Sequence, residues 1–296
     1  MKNILIIGAN GFTGRRILND LSVNPIYHVT GCSLCDDICP GEDYRFVRTD
    51  IRDENEVRKL FKECRPDIVI NTSALSVPDY CETHHAEAEA TNVTAVETIA
   101  HVCEQYGSRF IHLSTDFVFD GKSTRLYKEE DEAIPVNYYG VTKLKAEKII
   151  ASICSNYAIV RVVVVYGKAL PGQHGNILQL VANRLRNGET IRVVSDQWRT
   201  PTFVGDISVG VEKLMFHTAN GIYHICGSEC LTIAEIAYRV ADFLKLDRSL
   251  IEPVTTEEMK EVTPRPRFSG LSIEKAKAEI GYTPRTLEEG MEASLF

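Results

Sequence analysis

Along the first half of the chain, short apolar runs recur at intervals, with polar, helix-patterned segments between them. The runs at 3–7 (NILII), 27–31 (YHVTG), 45–48, 67–71 (DIVIN), 109–113 (RFIHL) and 158–165 (AIVRVVVV) are apolar enough to be strands buried on both faces. Between them the periodicity predicts helices near 13–23, 54–64, 85–106 and 138–154, the second opened by Asp53 and Glu56 as a capping box. Repeated strand and helix alternation of this kind implies an α/β fold built on a parallel, doubly wound sheet. After Gly167 the pattern changes. A loop containing Gly and Pro (KALPGQHG) leads to an amphipathic helix near 176–187, short strands, and helices near 205–217, 232–245 and 273–280. Three more capping boxes, Thr232/Glu235, Thr255/Glu258 and Thr286/Glu289, mark helix starts rather than chemistry.

Composition narrows the class without naming a function. A chain of 296 residues, 44% hydrophobic and 25% charged, can bury a full core in one large or two modest domains. The net charge of −8 argues against broad contact with nucleic acid or anionic membrane, while leaving room for a local basic pocket around one phosphorylated ligand. The amino-terminal apolar run is too short for a signal peptide and is broken by Gly8, and no later stretch reaches the ~18 apolar residues of a membrane span, so the expected location is the cytoplasm. Nine scattered cysteines, an odd number, fit reduced thiols better than a disulfide framework. Cys32, Cys35 and Cys39 form a C-x2-C-x3-C cluster, yet no fourth Cys or His lies close by in sequence, and no metal site is expected there. His84 and His85 read as surface or cap residues, and His224 as part of a half-buried strand.

Two segments carry candidate chemistry. The first strand runs into GANGFTG, with Gly8, Gly11 and Gly14 ahead of a helix; such a turn lets the backbone approach a diphosphate at the positive end of the helix. This makes the sheet a Rossmann-type nucleotide-binding one. It also divides the chain into a dinucleotide-binding domain at 1–166 and a smaller, irregular α/β substrate-binding domain at 167–296, with parts of about 188–218 expected to return and pack on the first. The second segment is YYGVTK at 138–143. On a helix, Tyr139 stacks over Lys143 and Tyr138 over Thr142, so only Tyr139 has a cation four residues on that would favour phenolate. Chance alone yields such a pair often, and the hexapeptide by itself does not separate a surface helix start from a catalytic dyad.

GANGFTG, DIVINTSALSVPDYCE, ATNVTAVETIA, LSTDFVFDG, IPVNYYGVTK, SDQWRTPT and RPRFSGLS together resemble the extended short-chain dehydrogenases/reductases over essentially the whole chain. Among them the chain is most similar to the dTDP-4-dehydrorhamnose reductase group. The resemblance implies NADPH-dependent reduction of the 4-keto group of a nucleotide sugar, with dTDP-4-dehydro-6-deoxy-L-mannose going to dTDP-L-rhamnose. It implies that Tyr139 donates the proton, that Lys143 lowers the Tyr139 pKa and holds the nicotinamide ribose, and that Thr115 hydrogen-bonds the carbonyl oxygen. Cofactor positions carried over are Gly8, Gly11, Phe12, Thr13 and Gly14 at the diphosphate turn, Asp50 and Ile51 at the adenine, Ser73, Ala74 and Leu75 beside the ribose and diphosphate, and Leu113 with Tyr139 and Lys143 at the nicotinamide end. The second strand ends in GCSLC without the acid that would bind a free 2′-hydroxyl, and Arg15 with Ser33 is available for a 2′-phosphate, so NADPH is favoured with NADH left open.

The substrate end departs from the group. Asp116 is followed by Phe117, whereas the related dehydratases carry Asp-Glu there, so elimination is disfavoured; Asp116 either contacts the sugar or caps a turn. RVVVVYG places Val164 where relatives carry an aromatic residue near the deoxysugar. Arg199 is a candidate grip on a nucleotide diphosphate, against an ordinary exposed arginine, and Arg265 is similar in status. The family also brings homodimers, in some cases with a magnesium ion at the interface, for which no site is located in this sequence. Two alternatives stand beside the reductase: a non-catalytic dinucleotide-binding subunit resembling the regulatory subunit of methionine adenosyltransferase, and a sugar-nucleotide epimerase.

Overall fold

Successive side chains of a strand point to opposite faces, so a strand apolar at every position needs cover on both sides of its sheet. The computed structural model, which describes residues 1–173 and 175–294, shows how that cover is arranged. The strands are β1 (Lys2–Ile7), β2 (Tyr27–Ser33), β3 (Arg45–Arg48), β4 (Ile68–Asn71), β5 (Arg109–Thr115), β6 (Tyr157–Val162), β7 (Val165–Tyr166), β8 (Ile191–Val194), β9 (Trp198–Arg199), β10 (Thr202–Phe203), β11 (Gly221–His224), β12 (Leu231–Thr232) and β13 (Ile251–Val254). The helices are α1 (Phe12–Ser22), α2 (Glu54–Cys64), α3 (Pro78–Thr83), α4 (His85–Glu89), α5 (Ala95–Tyr106), α6 (Tyr138–Ile153), α7 (Ile177–Arg186), α8 (Val204–Phe216), α9 (Ile233–Leu244), α10 (Thr256–Met259), α11 (Glu274–Ile280) and α12 (Leu287–Ala293).

Seven strands form one parallel sheet in the order β11-β6-β5-β4-β1-β2-β3. Ile4 and Ile6 of β1 face α1 and α8, packing with Ile17, Leu18, Ile207 and Val211. Leu5 and Ile7 face the other way, onto Phe61 of α2, Ile99 of α5 and Ile150 of α6. The chain leaves β1 toward β2 on one side and β4 lies on the other, so the strand order reverses between β1 and β4; ligands of open α/β sheets bind beyond the strand ends at such a point. A third apolar cluster, from α7, β8, α9, β13 and α12, builds the smaller part of the molecule. Among the described residues, no helix is long and apolar enough to cross a membrane.

Several local expectations change. The helix anticipated at 85–106 is interrupted by a π-helical turn at Ala90–Thr94, which places one extra residue in a helical turn and sets Asn92 facing inward. The strand anticipated at 158–165 stops at Val162, because Val164 sits at φ 39 and turns the chain before β7. His224 is fully buried in β11, the seventh strand, rather than half-buried. Asp53 caps α2 by accepting from the Asn55 and Glu56 amides, but the Glu56 carboxylate accepts from the Asp50 amide at 2.7 Å, so only half of that capping box forms. The boxes at Thr232, Thr255 and Thr286 form in full.

Candidate active site

The glycine turn is built where β1 ends. Gly8, at φ +83, and Ala9 donate their amides to the Cys32 carbonyl at 3.0 and 2.9 Å, and Gly11 donates back to the Gly8 carbonyl at 2.8 Å. A Cβ on Gly14 would stand 2.2 Å from that same carbonyl, so only glycine allows α1 to start so close to the strand. Gly11 caps the helix without a side chain, leaving first-turn amides directed at the space beyond the sheet. That space is a cleft of about 590 Å³. Its lining includes Gly8, Gly11, Phe12, Thr13, Gly14, Ser33, Asp50, Ile51, Ser73, Ala74, Leu75, Leu113, Tyr139 and Lys143.

Arg15 does not line it. Its guanidinium is buried, ion-paired with Asp37, and donates to the Cys39 carbonyl at 3.2 Å, the Tyr44 hydroxyl at 2.8 Å and Asn10 Oδ1 at 2.8 Å. It holds down the loop after β2 and is not free for a phosphate. Arg52, which sequence reasoning passed over, lines the cleft instead, its side chain forked onto the Asp50 carboxylate at 2.7 to 3.2 Å. Gln173, from the loop after β7, also reaches the cleft and donates to the Asn10 carbonyl at 3.0 Å.

At the far end of the cleft α6 meets the end of β5. Asn137 Oδ1 caps α6 by accepting from the Gly140 amide at 2.9 Å, while its amide nitrogen donates to the Pro264 carbonyl at 2.9 Å. This anchoring separates the two tyrosines. Tyr138 points outward, stacks on His85 with 3.6 Å between ring centroids, and donates to Glu89 at 2.9 Å. Tyr139 turns into the cleft with its ring edge against Phe117 at 6.0 Å. Burial pushes the Tyr139 phenol above its ordinary pKa and the Asp116 charge pushes the same way, while the neighbouring Thr115 hydroxyl opposes both. Thr115 also accepts from the Phe117 amide at 3.2 Å and donates to Asp116 at 3.1 Å.

Lys143 differs from expectation. Its ammonium position is buried below Tyr139, 2.9 Å from His112 Nε2 and 2.6 Å from the Leu113 carbonyl, and burial lowers its pKa to about 8 with Glu147 opposing. The lysine turns down into the sheet, and the Tyr139 phenol is raised, not lowered, in this arrangement. At neutral pH the phenol is therefore protonated, the form a proton donor needs.

The substrate-side candidates are placed differently again. Arg199 is buried rather than exposed; it donates to the Trp198, Arg267 and Pro266 carbonyls and to Gln197 Oε1 at 2.7 to 3.3 Å, with Asp116 3.7 Å from its Nε. These bonds leave the guanidinium no free fork for a ligand. Asp116 is buried between Arg199, Ser269 and Thr115, and burial raises its pKa while those three partners lower it. Val162 and Val165 form part of the cleft wall, whereas Val164 packs partly against the first core. Cys32 is buried in β2 with Cys35 and Cys39 exposed beyond it, and no group of three His, Cys, Asp or Glu side chains suited to a metal occurs among the described residues.

A diphosphate-sized glycine turn at the sheet's switch point, with the Tyr139 phenol at the other end of the same cleft and Thr115 buried behind it rather than in the cleft wall, defines a dinucleotide-dependent oxidoreductase of the extended short-chain dehydrogenase/reductase class. The family model described as RmlD substrate binding domain matches residues 1–295, and the chain belongs to that family. It is 30% identical over 291 residues to the Haloferax volcanii protein named probable low-salt glycan biosynthesis reductase Agl14, covering 97% of this chain and 95% of that one. It is 31% identical over 290 residues to methionine adenosyltransferase 2 subunit beta of Xenopus laevis, covering 96% and 84%. The crystal structure of dTDP-4-dehydrorhamnose reductase from Bacillus anthracis str. Ames in complex with NADP superposes with a TM-score of 0.87 at 27% identity, covering 100% of this chain and 99% of that one.

Proposed function

We propose that the protein reduces the 4-keto group of a nucleotide sugar with NADPH, dTDP-4-dehydro-6-deoxy-L-mannose to dTDP-L-rhamnose being the reaction to test first. The observation that carries this reading is the Tyr139 phenol, which lines the end of the nucleotide cleft with its ring edge against Phe117 and the Thr115 hydroxyl as its neighbour. A bound nicotinamide supplies the hydride. Tyr139 gives its proton to the oxygen of the reduced carbonyl, and Thr115, whose hydroxyl donates to Asp116 in the free protein, would turn that donor toward the developing negative charge. Phe117 against Tyr139, where a dehydratase has a glutamate, leaves no second acid for elimination. For the cofactor, the turn from Gly8 to Gly14 would hold the diphosphate, and Ser73 to Leu75 would lie beside the ribose and diphosphate. The absence of an acid at the end of β2, together with Arg52 beside Asp50, supports NADPH over NADH. Nine free cysteines support a reducing compartment such as the cytoplasm.

The test is a panel of 4-keto sugar nucleotides with NADPH and NADH, followed at the nicotinamide absorbance band. Turnover is expected with NADPH, and Tyr139→Phe is expected to lower kcat by about 10²-fold or more with dinucleotide affinity unchanged. An unaltered rate in that variant ends the proposal. The likeness to methionine adenosyltransferase 2 subunit beta favours a second reading, a dinucleotide-binding regulatory subunit. Tight NADPH binding with no oxidation by any member of the panel selects it.

A further inference from the structure

Beneath the cleft a chain of buried polar groups runs from β4 to α6, and its donors and acceptors can be assigned one by one. Asn71 Oδ1 accepts from the Ser73 backbone amide at 3.0 Å and from the Ser73 hydroxyl at 2.6 Å. A backbone N–H only donates, so this orients the Asn71 amide and places its NH2 group 3.2 Å from His112 Nδ1. Nδ1 must then accept, and a neutral imidazole that accepts at Nδ1 carries its proton on Nε2. Nε2 lies 2.9 Å from Lys143 Nζ. An N–H pointing there needs a lone pair, which an ammonium lacks.

We propose that His112 is a positioning residue that holds Lys143 as a neutral amine in the dinucleotide-free protein, with His112 Nε2–H donating to Nζ and Nζ donating onward to the Leu113 carbonyl at 2.6 Å. An imidazolium fails on the same geometry, since its Nδ1–H would face the Asn71 NH2 group. The surrounding charges agree. Glu147, one turn further along α6, is taken up by Arg161 through Nε at 3.0 Å and Nη2 at 2.6 Å, and by the Ser114 hydroxyl at 2.5 Å. Tyr139, one turn back, is a neutral phenol, and Asp116 is held by Arg199, Ser269 and Thr115. An ammonium at Nζ would be a buried charge without a carboxylate of its own. Burial lowers Lys143 to about 8, so the amine is the major form above that pH and the ammonium below it, and burial, the larger cause, keeps His112 well below the usual histidine range.

The use of this arrangement rests on the function proposed above: a phenolate left at Tyr139 must be recharged, and an amine that gains and loses a proton near neutrality relays one better than a pinned ammonium. The tautomer itself does not depend on that reading. It is tested by nitrogen-15 NMR of the full chain, free of dinucleotide and labelled at histidine and lysine, at about pH 9. The expected result is an unprotonated Nδ1 and a protonated Nε2 at His112, with a lysine signal absent from Lys143→Met that titrates near pH 8 or below. A protonated Nδ1, or a Lys143 signal that remains ammonium up to about pH 10, overturns the proposal. In Asn71→Asp the carboxylate accepts from Nδ1–H, so the tautomer is expected to reverse and the Lys143 midpoint to rise by about one unit or more. An unchanged tautomer there removes Asn71 as the selector. Neither measurement uses a substrate, so a failed turnover assay and a failed NMR result report on different claims.

Discussion

Asp116 and Arg199 bear on the site through each other and through Thr115. The two are buried 3.7 Å apart, Arg199 is saturated by carbonyl oxygens, and Asp116 in turn orients the Thr115 hydroxyl. Removing one charge of such a pair leaves the other uncompensated, so Asp116→Asn is expected to lower unfolding free energy by about 3 kcal/mol in urea titrations, beyond any effect on rate. The resemblance picked out Thr115, Tyr139 and Lys143 from short strings, because strand end and helix start are local features. The same strings said nothing of which way Lys143 turns. That depends on His112, a residue of the neighbouring strand 31 positions away.

At the scale of elements, the junction of α6 with the short 3-10 turn at Asp116–Val118 sets how Tyr139 stands relative to Thr115. Gly140 makes this contact possible: a Cβ there would lie 2.1 Å from the Phe117 carbonyl. Gly140→Ala is therefore expected to push α6 away and reduce kcat by about tenfold or more, with dinucleotide affinity little changed in a direct binding titration. Gly14→Ala acts at the other end, 2.2 Å from the Gly8 carbonyl, and is expected to weaken dinucleotide binding at least tenfold, about 1.4 kcal/mol. Helices and buried strands were legible from periodicity and caps. The π-helical turn and the break at Val164 were not, since the first answers to packing of Asn92 against Leu75 and Thr142, and the second to bonds from Thr202 to the Val163 and Val164 carbonyls.

Across the whole molecule, the second part of the chain returns to the first core as well as building its own, since α8 covers the same sheet face as α1 and β11 extends the sheet beside β6. His224 lies in that added strand beside Arg161, with burial and then the Arg161 charge lowering its pKa from 6.5 to about 3. The sign of the pH effect follows. The folded protein keeps His224 neutral while the unfolded chain protonates it below pH 6.5, so stability is full above that pH and falls on acidification toward pH 3, by about 1.4 kcal/mol per unit. Between pH 7 and pH 4.5 this one residue is expected to remove roughly 2–3 kcal/mol, and His224→Gln to flatten that part of the curve in urea unfolding.

The alternation of apolar runs, the glycine turn and the helix caps are consequences of short-range geometry, and they determined the nucleotide-binding sheet, its helices and the segment carrying Tyr139. Tertiary structure decided what depends on neighbours distant in sequence: the engagement of Arg15 and Arg199, the seventh strand of the sheet, and the burial and partners of Tyr139, Lys143 and His112. Burial and hydrogen-bond partners shift the pKa of such groups, and both come from residues that only the fold brings together.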